Sequence, residues 1–191
     1  VTMDASRKAK AYYTTPAKPG LAVSPKVLNF GYIDGDEAPT ARVARVTVTG
    51  SSAQWQATAD AAWLIVSPVS GNGTGELTVN VNPAGLSEGR YTGTVTVEAP
   101  GVEHSPQTVK VVLNVYGADD STPPFGELLS PVNGSQLSGT IQIAGWALDN
   151  TGVEKVELFH GQGDQLTLIG QAVFVEGAQP GIAGEYPEYP D

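Results

Sequence analysis

Cysteine is absent from this 191-residue chain, and histidine occurs twice. The first absence excludes disulfide frameworks, thiolate zinc sites, iron–sulfur clusters and thiol nucleophiles together. His104 and His160 stand alone, with no HxxxH or HExxH partner, so imidazole metal centres are not expected. Each is read as a surface imidazole near a strand end or turn. No apolar run approaches the roughly 18 residues of a bilayer crossing, so no membrane span is expected. Basic residues are also scarce. Ten Lys and Arg against twenty Asp and Glu leave a net charge of −10, which makes nucleic acid an unexpected partner because phosphate binding needs clustered cations.

What the chain has in excess is glycine and proline, 23 and 14 residues, which break helices and supply turns. Between them the apolar residues alternate with polar ones at period two. Ala44, Val46 and Val48 form one such set, and Trp55, Ala57 and Ala59 another. Leu77, Val79 and Val81, then Tyr91, Gly93, Val95 and Val97, then Val109, Val111, Leu113 and Val115 continue the pattern. Gly71-Asn72-Gly73-Thr74-Gly75 and Asn82-Pro83-Ala84-Gly85 separate strands with turn chemistry, and the first of these is expected to be a hairpin turn. Many short strands with such turns predict an all-β chain built on an antiparallel sandwich, and no segment carries a clear helical period.

The alternation stops at Gly117-Ala118-Asp119-Asp120-Ser121-Thr122-Pro123-Pro124, whose composition is that of a stiffened linker. The expected division is a basic N-terminal tail over 1–20, a first module over 21–116, a linker over 117–125 and a second β-rich module over 126–191. In that second module Ile141 with Ile143, Val156 with Leu158, Leu166 with Leu168, and Val173 with Val175 mark four strands. Trp146 is out of phase with Ile141 and Ile143, so it faces the other side or follows a bulge near Gly145. Charge divides the same way. Residues 1–20 carry +3, residues 21–117 carry −3 and residues 118–191 carry −10, the last with Lys155 as their single cation.

The first module resembles the BACON domain family. The resemblance rests on Leu21-Ala22-Val23-Ser24-Pro25, Leu28-Asn29-Phe30, Ala61-Ala62-Trp63-Leu64-Ile65-Val66-Ser67-Pro68-Val69-Ser70-Gly71, the stretch from Leu77 to Leu86, Gly89-Arg90-Tyr91-Thr92-Gly93 and Ser105-Pro106-Gln107-Thr108-Val109. It implies an immunoglobulin-like antiparallel β-sandwich of about seven or eight strands. It also implies an extracellular or cell-surface protein of a bacterium, and the family's name adds carbohydrate as a ligand class. The second module is similar to a bacterial β-rich unit marked by Gly145-Trp146-Ala147-Leu148-Asp149. Ser130-Pro131-Val132-Asn133-Gly134, Gly152 to Leu158 and Tyr186-Pro187-Glu188-Tyr189-Pro190 fit that unit as well. Only about four strands are visible there, so the second β-sandwich module is expected to be incomplete, finished by further sequence or by a strand from another chain.

No catalytic residue is expected. Ser67 to Gly71 lacks the Gly-x-Ser-x-Gly elbow, and the glycines at 71, 73 and 75 precede no helix that could hold a phosphate. Glu154 and Glu157, three apart in a predicted strand, face opposite sides, so they do not form a glycosidase pair. Asp34-Gly35-Asp36-Glu37 and Asp119-Asp120 lack the ligand spacing of a calcium loop, so neither metal nor cofactor is predicted. Sugar binding would rest on exposed aromatic faces. Trp63 heads an apolar run and Trp55 shares a phase with Ala57 and Ala59, which favours the core for both; core is also favoured for Trp146. Tyr12, Tyr13, Tyr186 and Tyr189 lie in the two tails. Trp55, Trp146, Tyr12, Tyr13, Tyr186 and Tyr189 are therefore the candidate contacts to polysaccharide or to a partner chain, with no group of three aromatics converging on one face. The expected role is a scaffold, spacer or surface-fibre building block that self-associates between its N-terminal tail and its C-terminal module. The alternative is a carbohydrate-binding module.

Overall fold

The computed structural model describes residues 18–162, 165–175, 179–187 and 189. Nine strands fill the first part: β1 Gly20–Ser24, β2 Val27–Ile33, β3 Arg42–Thr49, β4 Gln54–Ala59, β5 Leu64–Ser67, β6 Ser70–Asn72, β7 Gly75–Val81, β8 Gly89–Glu98 and β9 Gln107–Tyr116. They form a four-stranded sheet in the order β1-β3-β7-β5 and a five-stranded sheet in the order β2-β9-β8-β4-β6. Every pairing is antiparallel except β2 with β9, which run parallel from Val27 opposite Lys110 to Ile33 opposite Tyr116.

The alternating residues make this sandwich because their inner set fills one core. Ala44 and Val46 of β3, Leu77 and Val79 of β7, Val95 and Val97 of β8, and Val109, Val111 and Leu113 of β9 are all wholly buried. Each such valine or leucine contributes about 1.5–3 kcal/mol by leaving water. Trp55 belongs to the same core and is 1% exposed. Trp63 sits at the rim, half-buried, its ring meeting that of Tyr91 edge-on at 6.5 Å.

The glycine-rich stretch between β6 and β7 is not a hairpin turn. β6 pairs with β4 in one sheet, whereas β7 pairs with β3 and β5 in the other, so Gly73-Thr74 carries the chain across the sandwich. A turn of this composition fixes backbone shape but not which strands pair on either side.

Beyond the sandwich, β10 Phe125–Ser130 pairs with β11 Ala144–Leu148, and β12 Glu157–Gln162 pairs with β13 Gln165–Gln171, giving two separate two-stranded sheets. Trp146 lies in β11, while Ile141 and Ile143 precede it outside any strand, and Val173 and Val175 are likewise outside. Glu154 is outside β12, so it and Glu157 do not share a strand. A short helix, α1 Pro180–Glu185, starts at a proline, where the missing N–H costs nothing. Among the described residues after Tyr116, no hydrophobic side chain is buried; Asn150 is the one buried residue there.

Candidate functional site

Four aromatic rings converge where β10, β11 and the segment after α1 meet. Phe125 opens β10 and stands opposite Leu148 in the register, and Trp146 stands opposite Glu127, which places Phe125 and Trp146 on one face of the small sheet. Tyr186 follows α1 directly, its N–H donating to the Ile182 carbonyl at 2.9 Å, and the Tyr189 N–H donates to the Tyr186 carbonyl at 3.2 Å. Phe125 is the hub. Its centroid lies 5.8 Å from Trp146, 5.3 Å from Tyr186 and 5.2 Å from Tyr189, each ring meeting it edge to face. Trp146 and Tyr186 are 6.0 Å apart and inclined at 31°. All four residues are half-buried, so the cluster is not sealed from water.

Of the six candidate contacts, three are brought together here: Trp146, Tyr186 and Tyr189. They gather by packing edge to face around Phe125 rather than by lining up on one sheet face. Trp55 is corrected out of the surface set, because its ring is in the core and its Nε1 donates to the Gly73 carbonyl at 3.0 Å. A buried indole presents no face to a sugar. Tyr12 and Tyr13 lie outside the described residues. Phe125, at the end of the linker stretch, was not among the candidates; the signal that could have pointed to it is its place as the first large apolar residue after Pro123-Pro124.

Beside this group is an open acidic depression lined by Glu88, Tyr116, Asp119, Asp120 and Thr122. Its carboxylates are not all free. Asp120 accepts from the Thr122 hydroxyl at 2.7 Å and from the Asn150 amide, and these bonds hold its carboxyl below the usual carboxylate range. Burial pushes the Tyr116 phenol up, helped by Tyr189 and by the charges of Asp120 and Asp149, against a lowering hydrogen bond from Asn114. Asp34, Asp36 and Glu37 are exposed around a turn at Gly35. Among the described residues, no three potential ligand side chains gather as a metal cage would require. No helix of the described residues is long and apolar enough to cross a membrane.

Comparison with known proteins gives the segments their families. Residues 20–110 match the model of the viral BACON domain, and residues 124–174 match that of a bacterial Ig domain. Neither model is that of a catalytic family. No curated protein matches the sequence. Among solved structures, a Bacteroides ovatus GH5 xyloglucanase in complex with a heptasaccharide aligns at 20% identity and a TM-score of 0.41, covering 56% of this chain and 20% of that one. The periplasmic chaperone SfaE aligns at 14% and 0.38, covering 50% and 58%. A PapD-like domain of human CEP192 aligns at 16% and 0.39, covering 63% and 99%. The chain thus spans a fifth of the xyloglucanase and under two thirds of the chaperone, and overlaps this weak establish nothing about function. The sandwich, its ordered motifs and the two family models agree: the chain carries a BACON domain followed by a bacterial immunoglobulin-like domain.

Proposed function

We propose that this chain is part of a non-catalytic structural protein displayed outside a bacterial cell, its sandwich acting as a stiff spacer and its end segments binding neighbouring copies. One observation carries the reading. In the second module Leu128, Phe159, Leu166, Leu168 and Ile169 are each more than half exposed, on two-stranded sheets with unpaired edges. Apolar surface at that density calls for cover, and a free edge accepts a strand. Charge nominates the cover. Residues 118–191 carry −10 and residues 1–20 carry +3, so the N-terminal segment of a second copy complements the C-terminal module of the first. Such a head-to-tail contact joins different surfaces, and it therefore grows a filament or closes a ring. The family description over 20–110 is viral while that over 124–174 is bacterial, which favours a virion that meets bacteria as a second place of display.

Sedimentation velocity of the purified chain across a concentration series tests this. The weight-average mass should rise with concentration and fall when salt is raised to about 0.5 M, where screening shortens to a few ångströms. A chain that stays monomeric at low salt and high concentration removes the proposal.

A second reading, carbohydrate binding, is supported by the clustering of the half-buried residues Trp146, Tyr186 and Tyr189. Sugar rings stack on such faces while nearby carboxylates and hydroxyls orient their hydroxyl groups. A glycan array with the parent chain and with Trp146→Ala and Tyr189→Ala distinguishes the two readings. Retention lost in the variants supports binding, and no retention on any polysaccharide dismisses it.

A further inference from the structure

The outer face of the five-stranded sheet is not uniformly wet. On β2, Leu28 and Phe30 point into the core, so Asn29 and Gly31 face outward, yet both are buried. On β9, Val109, Val111, Leu113 and Val115 point inward, so Val112 and Asn114 face outward, and both are buried too. Parallel pairing sets Asn29 opposite Val112 and Gly31 opposite Asn114, so the four form one patch.

The backbone of Asn150 and Thr151 lies against this patch. A Cβ placed on Gly31 would fall 1.8 Å from the Asn150 carbonyl oxygen and 2.7 Å from the Thr151 Cα, a distance that only glycine allows. The loop that makes this approach is built for its shape. The Asp149 carboxylate accepts from the Thr151 N–H at 2.9 Å and from its hydroxyl at 2.7 Å, and Gly152, at φ 104°, donates back to the Asp149 carbonyl at 3.2 Å. Asn150, 6% exposed, then donates its side-chain amide to Asp120 of the linker. Asp120 is itself held in a turn, its N–H donating to the Gly117 carbonyl at 3.0 Å. Sandwich, linker and second module are thus fastened at one node.

We propose that the outer face of β2 and β9 is an interaction surface whose partner is the chain's own second module, and that the Asp149–Gly152 loop is the plug that fixes the angle between the two. The two modules then move as one body, and whatever the second module binds is presented in a set direction from the sandwich.

The absence of cysteine makes the test direct. Spin labels are placed at Glu76→Cys on the sandwich and Ala144→Cys on β11, the strand that leads into the Asp149–Gly152 loop, both exposed, and the distance distribution between them is measured by pulsed electron resonance on the full chain. The expected result is a single narrow distribution. Gly31→Val, a residue that suits a strand but not this contact, should at least double its width. Asp120→Ala removes linker hydrogen bonds without touching the core and should broaden it as well, which decides the matter if the valine variant does not fold. A broad distribution in the parent chain overturns the proposal. So does a narrow one in folded Gly31→Val, or, where that variant fails to fold, in Asp120→Ala.

Discussion

The indole of Trp55 occupies space that side chains at residues 71 and 75 would otherwise enter. A Cβ on Gly71 would lie 2.3 Å from its Cζ2, and one on Gly75 would lie 3.4 Å from the same atom. Gly73, at φ 65°, supplies the carbonyl that accepts the indole N–H. The three glycines therefore cradle one ring rather than form a flexible loop. Gly71→Ala should destabilise the sandwich by about 1–3 kcal/mol through overpacking, whereas Gly75→Ala should stay within about 0.5 kcal/mol. Urea unfolding followed by tryptophan fluorescence measures both, and equal costs at the two positions would contradict the cradle. In the sequence, the turn chemistry at residue 73 was legible because it is local. The identity of the ring it serves was not, since Trp55 is 18 residues away and its neighbour across the sheet depends on strand pairing.

At the scale of elements, alternation located β3, β4, β7, β8 and β9 because each buries one face against a single core. It fell short where that condition fails. On β9 both faces are covered, so Val112 and Asn114 break the expected exposure. In the second module the apolar pairs at 141 and 143, and at 173 and 175, have no shared core to bury in, and they lie outside strands. What organises that module is the ring cluster on Phe125. Phe125→Ala deletes the edge-to-face contacts to Tyr186 and Tyr189, pairs worth about 0.5–1.5 kcal/mol each beyond area burial. The Tyr186 amide, bonded to the Ile182 carbonyl, should then exchange roughly tenfold or more faster with deuterium, while the amides of β7 and β8 keep their protection. Unchanged exchange at Tyr186 would mean that something other than Phe125 holds α1.

For the whole molecule, the net charge of −10 matters through its placement, and part of it sits at the node between modules. That division of charge was readable from the sequence; the node was not, because it joins Gly31, Asp120 and Asn150 across three segments of chain. Asp120 faces Tyr116, Thr122 and Asn150 there, Asp149 acts on Tyr116 beside it, and Asp119 and Glu88 lie along the same depression. The Asp120 carboxyl is held below the ordinary value first by the Thr122 hydroxyl within the linker and then by the Asn150 amide; the Asn150 bond, which crosses to the second module, favours the closed node above the ordinary carboxylate pKa of about 3.9 and loses that contribution as pH falls through the lowered value. Tyr116 works from the other side. Its raised phenol favours the closed node below about pH 10, and the contribution is lost as pH rises through the raised value, when a phenolate forms beside Asp120 and Asp149. The node should therefore stay closed across the neutral range and loosen at both extremes. The inter-label distance distribution should remain narrow from about pH 5 to pH 9 and broaden below roughly pH 4 and above roughly pH 10. Asp120→Asn, whose side chain is neutral like the protonated acid, should already be broadened at neutral pH and should not broaden further on acidification. A width that changes near pH 6 to 7 would contradict control by Asp120 and Tyr116.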